Sequence, residues 1–161
     1  FARKWIESGA DIFRVAKPAT PDPHLVVYFL LVDPEHNKTL LVRHKKANLW
    51  LPSGGHVEPG ELPIETVTRE LGEELGVQAD FLCEEPLFLT VTQTVGQEKP
   101  HTDITLWYVL KGSDTTLYSY DESEFHSIQW FSFAEIPFDE SDPHMRRMIQ
   151  KFKCFTEDKH A

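Results

Sequence analysis

The sequence predicts an α/β protein, built as a three-layer α/β/α sandwich with a mixed β-sheet. Three observations support this fold class. Residues 24–32 form a near-continuous apolar run, which is typical of a strand buried on both faces of a sheet. Strand-like segments flank one amphipathic helix at residues 63–75, and a second amphipathic helix ends the chain. One sheet between two layers of helices buries all of these apolar faces.

The N-terminal segment is predicted to be separate from the main domain. Residues 1–20 would form an arm or a short helix, because Trp5 and other apolar side chains make the segment amphipathic. A dimer-forming arm is the alternative. The proline-rich residues 18–23 lead into a domain of residues 21–157. Residues 158–161 are expected to be a flexible tail.

Turn residues and hydrophobic alternation predict the other strands. A turn after the first strand and a strand at residues 39–43 would close a hairpin. Residues 78–94 indicate one long strand or a bent pair, followed by a turn. Two further strands are predicted at residues 101–110 and 127–133. The polar residues 112–124 between them have the composition of a loop that covers a site.

The two helices have ordinary apolar faces. In the helix at residues 63–75, Pro63 lies in the first turn and Gly76 follows the last periodic residue, as helix ends favour. Its apolar stripe consists of Ile64, Val67, Leu71 and Leu75. The corresponding face of the C-terminal helix consists of Met145, Met148, Ile149 and Phe152.

The first helix also concentrates negative charge beside its apolar stripe. Glu70, Glu73 and Glu74 lie on one arc at spacings of three and four residues, where like charges repel by a few tenths of a kcal/mol per pair. A bound cation would relieve this repulsion, and oxygen ligands favour Mg²⁺ or Mn²⁺ over zinc. Periodicity alone leaves a solvated acidic face equally plausible.

The spacing around these glutamates forms a longer pattern. Gly55 is followed after five residues by Glu61, and after seven more by Arg69-Glu70; then come Glu73-Glu74 and Gly76. At background frequencies, a chance match at one position is on the order of one in 10⁸. This pattern resembles the complete signature of the Nudix hydrolases. The resemblance implies a Nudix-type three-layer α/β/α sandwich and pyrophosphohydrolase activity.

The resemblance also implies roles for individual residues. Metal ligands would be the carbonyl of Gly54 and the carboxylates of Glu70, Glu73 and Glu74. Arg69 would orient one of these glutamates, and Glu61, Gly55 and Gly76 would support the loop and the helix. Since a carboxylate must accept a proton from the attacking water, Glu70 is the first candidate for the general base.

Further candidates for substrate binding lie outside the pattern. His101 and Asp103 share one face of a predicted strand, either in a cleft or at the surface. The resemblance implies that a carboxylate of the acidic loop, Glu122 or Glu124, could supply a metal ligand or a general base. It also implies that an acidic residue just beyond the late strand, Asp139, could recognise a nucleobase. Asp142 is favoured instead as the N-cap of the last helix.

Composition limits the class of partner. A net charge of -10 argues against extended contact with DNA or RNA, although bound cations would allow a nucleotide-like small molecule. Two cysteines are too few for a disulfide framework, and no transmembrane or secretory segment is recognisable. We therefore expect a cytoplasmic protein, monomeric or homodimeric, that does not act on membranes.

The predicted function is Mg²⁺-dependent hydrolysis of a phosphoanhydride in a nucleoside diphosphate linked to another group. The family marks ADP-ribose or dinucleoside polyphosphate specificity by proline or tyrosine downstream, but Thr92 and Thr94 occupy those positions. Nucleoside triphosphates, oxidised or not, are therefore favoured. The alternatives are hydrolysis of ADP-ribose, nucleotide sugars or dinucleoside polyphosphates, and a non-catalytic module of this fold that binds nucleotides.

Overall fold

The computed structural model describes residues 1–17, 20–95 and 99–160. In these ranges the chain forms three α-helices, one 3₁₀ turn at Phe138–Glu140 and seven strands. The helices are α1 (Ala2–Glu7), α2 (Pro63–Leu75) and α3 (Met145–His160). The strands are β1 (His24–Asp33), β2 (Lys38–His44), β3 (Leu49–Leu51), β4 (Ser53–His56), β5 (Phe81–Gln93), β6 (Thr102–Lys111) and β7 (Phe125–Ser132).

The strands form one mixed sheet with β1 near its centre. The strand order is β3-β2-β1-β6-β5, while β4 pairs with β1 and β7 pairs with β2. β1 runs parallel to β6, with His24 opposite Asp103, and antiparallel to β4, with Val26 opposite His56. The start of β1, the end of β4 and the start of β6 therefore meet at one place in the sheet.

The residues of β1 alternate between two hydrophobic cores. Val27, Phe29 and Leu31 pack in the core that includes α2, whereas Leu30 and Val32 pack in the core that includes α3. Because successive side chains of a strand point to opposite faces, a strand between two layers is apolar along its length. The predicted α/β class and its three layers are confirmed, and the predicted apolar faces are the ones that pack against the sheet.

The strand predicted at residues 78–94 is a single strand, β5. Its pairing with β6 is irregular between Cys83 and Phe88, on either side of Pro86. Proline has no N–H to donate to the ladder, so an interruption is expected there. The sequence left open one strand or a bent pair, and the structure has one strand with an irregular section.

The N-terminal segment packs against the core of the same chain. Ala2 and Trp5 of α1 are buried in the core that includes α2. The N–H of Leu25 donates to the carbonyl of Ile12 at 2.7 Å, which ties the segment to the start of β1. A short helix is therefore present within the first 20 residues.

Some predicted boundaries differ from the observed elements. The C-terminal helix α3 runs to His160, so the boundary predicted at residue 157 falls inside it. Parts of the predicted connector at residues 18–23 and of the predicted turn after β5 lie outside the described residues. Within the described ranges, no helix has the length and apolar character needed to cross a bilayer.

Candidate active site

Helix α2 begins and ends as its sequence predicts. The N–H of Leu62, just before Pro63, donates to Glu65 Oε2 at 2.8 Å, which satisfies a donor at the helix start. At the other end Gly76 has φ 68°, a left-handed conformation that glycine adopts without strain. The N–H of Asp121 donates to the carbonyl of Glu74 at 3.1 Å. The loop before β7 is therefore held against the end of this helix.

Arg69 connects α2 to the loop that precedes it. Its Nε and Nη2 atoms donate to the two carboxylate oxygens of Glu61 at 2.9 and 3.0 Å, which is a bidentate pair. Nη1 donates to Glu70 Oε1 at 2.7 Å. The hydrogen bond from Arg69 is the main cause that lowers the pKa of Glu61 to about 2. One guanidinium thus fixes both the loop and one oxygen of Glu70.

The glycine pair allows α2 to lie close to β4. A Cβ on Gly55 would overlap the carboxylate of Glu70. A Cβ on Gly54 would overlap the carbonyl oxygen of Val27 and approach the ring of Tyr28. The missing side chain of Gly55 therefore leaves room for the Glu70 carboxylate, and that of Gly54 leaves room for the neighbouring strand β1.

The three glutamates of α2 lie in different environments. Glu74 is 6% exposed, and its Oε2 atom is buried without a hydrogen-bond partner. Burial, followed by the charges of Glu70 and Glu124, raises the pKa of Glu74 to about 9. Burial also raises the pKa of Glu70, although the hydrogen bond from Arg69 opposes this. The side chain of Glu73 is 63% exposed.

These carboxylates face a cleft of about 480 Å³, a size typical of ligand sites. The glycine pair and all three glutamates line it. Across from α2, the lining includes Glu124 from the loop before β7 and Asp142 from the segment before α3. Cationic side chains also reach it, from the N-terminal segment and from the loop after β2: Arg14, Lys17 and Lys46.

The other predicted site residues divide into two groups. His101, Asp103 and Glu124 line the cleft. Glu122 and Asp139 are exposed and do not line it, so the structure does not bring these two to the site. The carbonyl of Glu122 accepts a hydrogen bond from Lys45 in a turn at the surface. Asp139 belongs to the short 3₁₀ turn.

Sequence reasoning missed two histidines and underrated one aspartate. His24 and His56 lie beside His101 and Asp103, with ring centroids 4.9 Å apart between the first two. Asp142 accepts the N–H of His144 at 2.7 Å, the capping contact expected of it, but it also lines the cleft. The signal for these histidines lay in the pairing of β1 with β6 and with β4, which a single sequence does not display.

The glutamates fit a hard divalent cation by their chemistry. The unpartnered oxygen of Glu74 is an acceptor that burial has deprived of water, and a cation would satisfy it. The side chain of Glu73 lines the same cleft and lies 3.5 Å from Arg69 Nη1, the nitrogen that also donates to Glu70. Glu70, Glu73, Glu74 and the carbonyl of Gly54 are thus the groups that could hold Mg²⁺.

Comparison with known proteins identifies the class. The family model described as NUDIX domain matches residues 22–152, which is most of the chain. The protein therefore belongs to the Nudix family, as its residue pattern predicted. A Nudix-family hydrolase structure from Clostridium perfringens is similar in fold, with a TM-score of 0.62 and 23% identity over 82% of this chain and 97% of that one.

Curated relatives match only part of their length. The asymmetrical bis(5'-nucleosyl)-tetraphosphatase of Mus musculus is 30% identical over 86 residues, which cover 53% of this chain and 57% of the mouse protein. The m7GpppN-mRNA hydrolase of Xenopus laevis is 44% identical over 54 residues, covering 30% of this chain and 18% of the frog protein. The chain thus spans little more than half of the first relative and less than a fifth of the second.

Proposed function

We propose that this protein is a Mg²⁺-dependent hydrolase that cleaves a phosphoanhydride bond in a nucleoside diphosphate linked to a second group. The buried carboxylate of Glu74 carries the proposal. Its unpartnered oxygen and its raised pKa mean that the ionised form is unfavourable without a cation. A fold that keeps such a group beside two further glutamates and a cleft is suited to binding a hard metal ion. Mn²⁺ is expected to replace Mg²⁺.

In the proposed mechanism, one residue of the chain orients the reacting groups and another accepts a proton. When bound, the metal ion supplies positive charge that neutralises the diphosphate and lowers the pKa of a water molecule. Glu70 would accept the proton of that water, and burial raises its pKa, which makes the carboxylate a stronger base than an exposed glutamate. Arg69 holds one oxygen of Glu70 and leaves the other to act. Glu124, across the cleft, is the second candidate for this role.

The cationic side chains at the cleft would bind the phosphates. The whole chain carries a net charge of -10, so an anionic substrate needs local positive charge at its site. Arg14, Lys17 and Lys46 line the cleft and supply it. Apolar side chains in the same lining would contact a nucleobase or ribose: Val26, Leu49, Leu51 and Phe125.

Two substrate classes are proposed. Nucleoside triphosphates, oxidised or not, are the first, because Thr92 and Thr94 replace the marks of other specificities. Dinucleoside polyphosphates are the second. The names of the mouse and frog relatives describe substrates in which a polyphosphate joins two nucleosides.

The test is a turnover assay with purified protein and Mg²⁺ or Mn²⁺. The panel contains nucleoside triphosphates, oxidised nucleotides, dinucleoside tetraphosphates, cap analogues, ADP-ribose and nucleotide sugars, with products separated by chromatography. We expect cleavage of one class, and a fall in kcat of about 10²- to 10³-fold in Glu74→Gln, since a metal ligand and its charge are lost.

The matched control for this variant is Glu157→Gln, which removes an exposed glutamate of α3 outside the cleft. It should retain wild-type turnover. If Glu74→Gln folds and cleaves as fast as the wild type, the assigned role is wrong. If the metal-loaded wild type cleaves nothing in the panel, the non-catalytic nucleotide-binding module becomes the better explanation.

We also propose the compartment, the kind of substrate and the oligomeric state in which this activity occurs. Cys83 and Cys154 are both unpaired, which suits the reducing cytoplasm. The acidic surface charge supports a small nucleotide rather than a nucleic acid as the substrate. The protein would act as a monomer or a homodimer.

A further inference from the structure

Four potential metal ligands converge where β1, β4 and β6 meet. We call them the histidine cluster: His24, His56, His101 and Asp103. One ligand atom from each lies within 4.8 Å of the others. Three members line the cleft, and His24 lies behind them, fully buried. None of the four belongs to the glutamate site.

Strand pairing places all four side chains on one face of the sheet. His24 is opposite Asp103 in the parallel pair, and His101 precedes Asp103 by two residues. His56 is opposite Val26, which follows His24 by two residues on β1. Since side chains repeat with a period of two along a strand, the four must point the same way.

Hydrogen bonds indicate which nitrogen carries the hydrogen in two of the rings. His24 Nδ1 lies 2.7 Å from the carbonyl oxygen of Pro21, which can only accept, so this Nδ1 carries the hydrogen. His101 Nδ1 lies 3.1 Å from the carbonyl oxygen of Lys99 and 3.2 Å from Thr94 Oγ1, a hydroxyl that can donate or accept. With the hydrogen on Nδ1, the Nε2 atom of each neutral ring presents a lone pair to the cluster. Metal-bound histidines in proteins are oriented in this way.

The third ring also offers an unused nitrogen. His56 Nε2 is buried without a hydrogen-bond partner. Its ring centroid lies 4.9 Å from that of His24. Arg14 lines the same cleft, and its positive charge would weaken the binding of a cation without removing this ligand.

The carboxylate of Asp103 lies close to two of the imidazole nitrogens. Asp103 Oδ1 is 3.3 Å from His24 Nε2 and 3.3 Å from His101 Nε2, yet it is buried without a hydrogen-bond partner. Four ligands at zinc bond lengths of about 2.0–2.1 Å stand about 3.3–3.4 Å from one another in a tetrahedron. The two measured edges agree with that spacing.

We propose that the histidine cluster binds one Zn²⁺ ion, or a transition metal of similar chemistry, at a site separate from the Mg²⁺ site of the glutamates. Three imidazole nitrogens and one carboxylate oxygen favour Zn²⁺ over Mg²⁺, which prefers oxygen ligands. Four protein ligands make a closed site, so the ion would hold three strand ends together beside the cleft. This inference does not depend on the hydrolase activity.

A proton is the competing occupant. Burial lowers the pKa of His24, but the nearby carboxylate of Asp103 and the carbonyl of Pro21 outweigh it, and the net pKa is raised. A proton on His24 Nε2 would satisfy only two of the four ligand atoms, this nitrogen and Asp103 Oδ1. It would leave His56 Nε2 without a partner, whereas a metal ion would satisfy all four atoms.

A second cluster in the described residues differs because its carboxylates already have hydrogen-bond partners. Asp33, His36 and Asp114 also bring three ligand atoms together. There, Asp33 accepts the backbone N–H groups of Glu35, His36 and Asp114, and Lys38 bonds to Asp114. These carboxylates already have partners, so His36 supplies a control for the test.

The test measures Zn²⁺ binding directly. Purified protein is stripped with a chelator, loaded with Zn²⁺ or Co²⁺, dialysed, and analysed for metal content and for the visible absorption of tetrahedral Co²⁺. We expect about one ion per chain. His56→Gln and Asp103→Asn should each weaken Zn²⁺ binding by more than about 100-fold, because each removes a ligand.

Two controls separate this site from the others. His36→Gln and Glu74→Gln should both retain the Zn²⁺ stoichiometry and the Co²⁺ spectrum. Circular dichroism checks that every variant folds. In the wild type, Zn²⁺ should also raise the Tm, and the chelator should reverse the rise, a readout that needs no variant.

Three results would overturn the proposal. The first is a folded wild type that retains no stoichiometric Zn²⁺ and shows no Zn²⁺-dependent Tm. The second is binding that survives both cluster variants. The third is binding that is lost in His36→Gln or Glu74→Gln, which would move the ion to another site.

Discussion

The glutamates of α2 and the histidine cluster face one cleft, but they are assembled in different ways. Glu70, Glu73 and Glu74 lie within five consecutive positions of one helix, so local geometry alone brings them together. The histidine cluster takes its members from three strands that are far apart in sequence. Both regions contain buried polar atoms without partners. Unpartnered buried atoms therefore motivate both metal proposals, and only one of the two regions also has a recognisable sequence pattern.

The two regions also differ in the ion they favour. The glutamates offer only oxygen and carry three potential negative charges on one helix, which suits a hard ion. The cluster offers mostly nitrogen and one carboxylate, which suits Zn²⁺. The two proposed ions would share one cleft without competing for the same ligands.

Arg69→Lys should separate the two regions most clearly, because it should reduce turnover at the glutamates without affecting the histidine cluster. The lysine keeps the charge but loses the bidentate pair with Glu61 and the bond to Glu70. Because the residues that orient metal ligands typically contribute 10- to 100-fold, we expect kcat to fall by about that factor. The measurement is turnover at saturating Mg²⁺ and substrate.

The control for Arg69→Lys is Arg43→Lys, which alters an arginine paired with Glu140 outside the cleft. It should leave turnover unchanged, and neither variant should alter Zn²⁺ binding. Equal turnover in Arg69→Lys and the wild type would mean that the charge alone suffices and that the two bonds do not orient Glu70.

The next effect concerns stability without metal. The pKa of Glu74 is raised from 4.5 to about 9 on folding, so the folded state binds its proton more tightly than the unfolded state. The contribution of this group to stability is fully present below pH 4.5 and is lost as pH rises through about 9. Glu74→Gln stays neutral and should avoid this loss.

We therefore expect the metal-free Glu74→Gln protein to be more stable than the wild type by a few kcal/mol at pH 9, with little difference near pH 4.5. Urea unfolding with a chelator present at pH 5, 7 and 9 measures this. Mg²⁺ should stabilise the wild type and not the variant. Parallel pH dependence in the two proteins would show that Glu74 has no raised pKa.

The sequence predicted the fold from short-range periodicity, and it predicted the glutamate site from the longer spacing pattern that resembles the Nudix signature. The pattern of α2 places residues three and four positions apart on one face, and the apolar run of β1 marks a strand between two layers. The same rule of alternation correctly put His101 and Asp103 on one face. These predictions needed no knowledge of which strands are neighbours.

The remaining site residues depended on information that a single sequence does not contain. His24 joins Asp103 only because β1 and β6 are parallel and in register, a pairing between distant segments. In the loop before β7, Glu124 lines the cleft and Glu122 does not. The sequence could not distinguish them, because a turn has no period from which the direction of a side chain can be read. The resemblance placed Asp139 at the site, but this residue lies in the 3₁₀ turn and does not line the cleft.

The smallest expected effect distinguishes the two loop glutamates. Glu124 contributes to the raised pKa of both Glu70 and Glu74, by the repulsion of its charge. Glu124→Gln should therefore lower both pKa values and reduce the loss of metal-free stability at high pH by less than about 1 kcal/mol. Glu122→Gln, two residues away and outside the cleft, should change nothing in the same urea experiment.

The same pair of variants decides which carboxylate accepts the proton. If Glu70 is the general base, Glu124→Gln should reduce kcat only slightly, because Glu124 then acts through its charge alone. A reduction of about 10²-fold or more, with Glu122→Gln unaffected, is the size expected for loss of a general base. That result would assign proton transfer to the loop and leave Glu70 as a metal ligand oriented by Arg69.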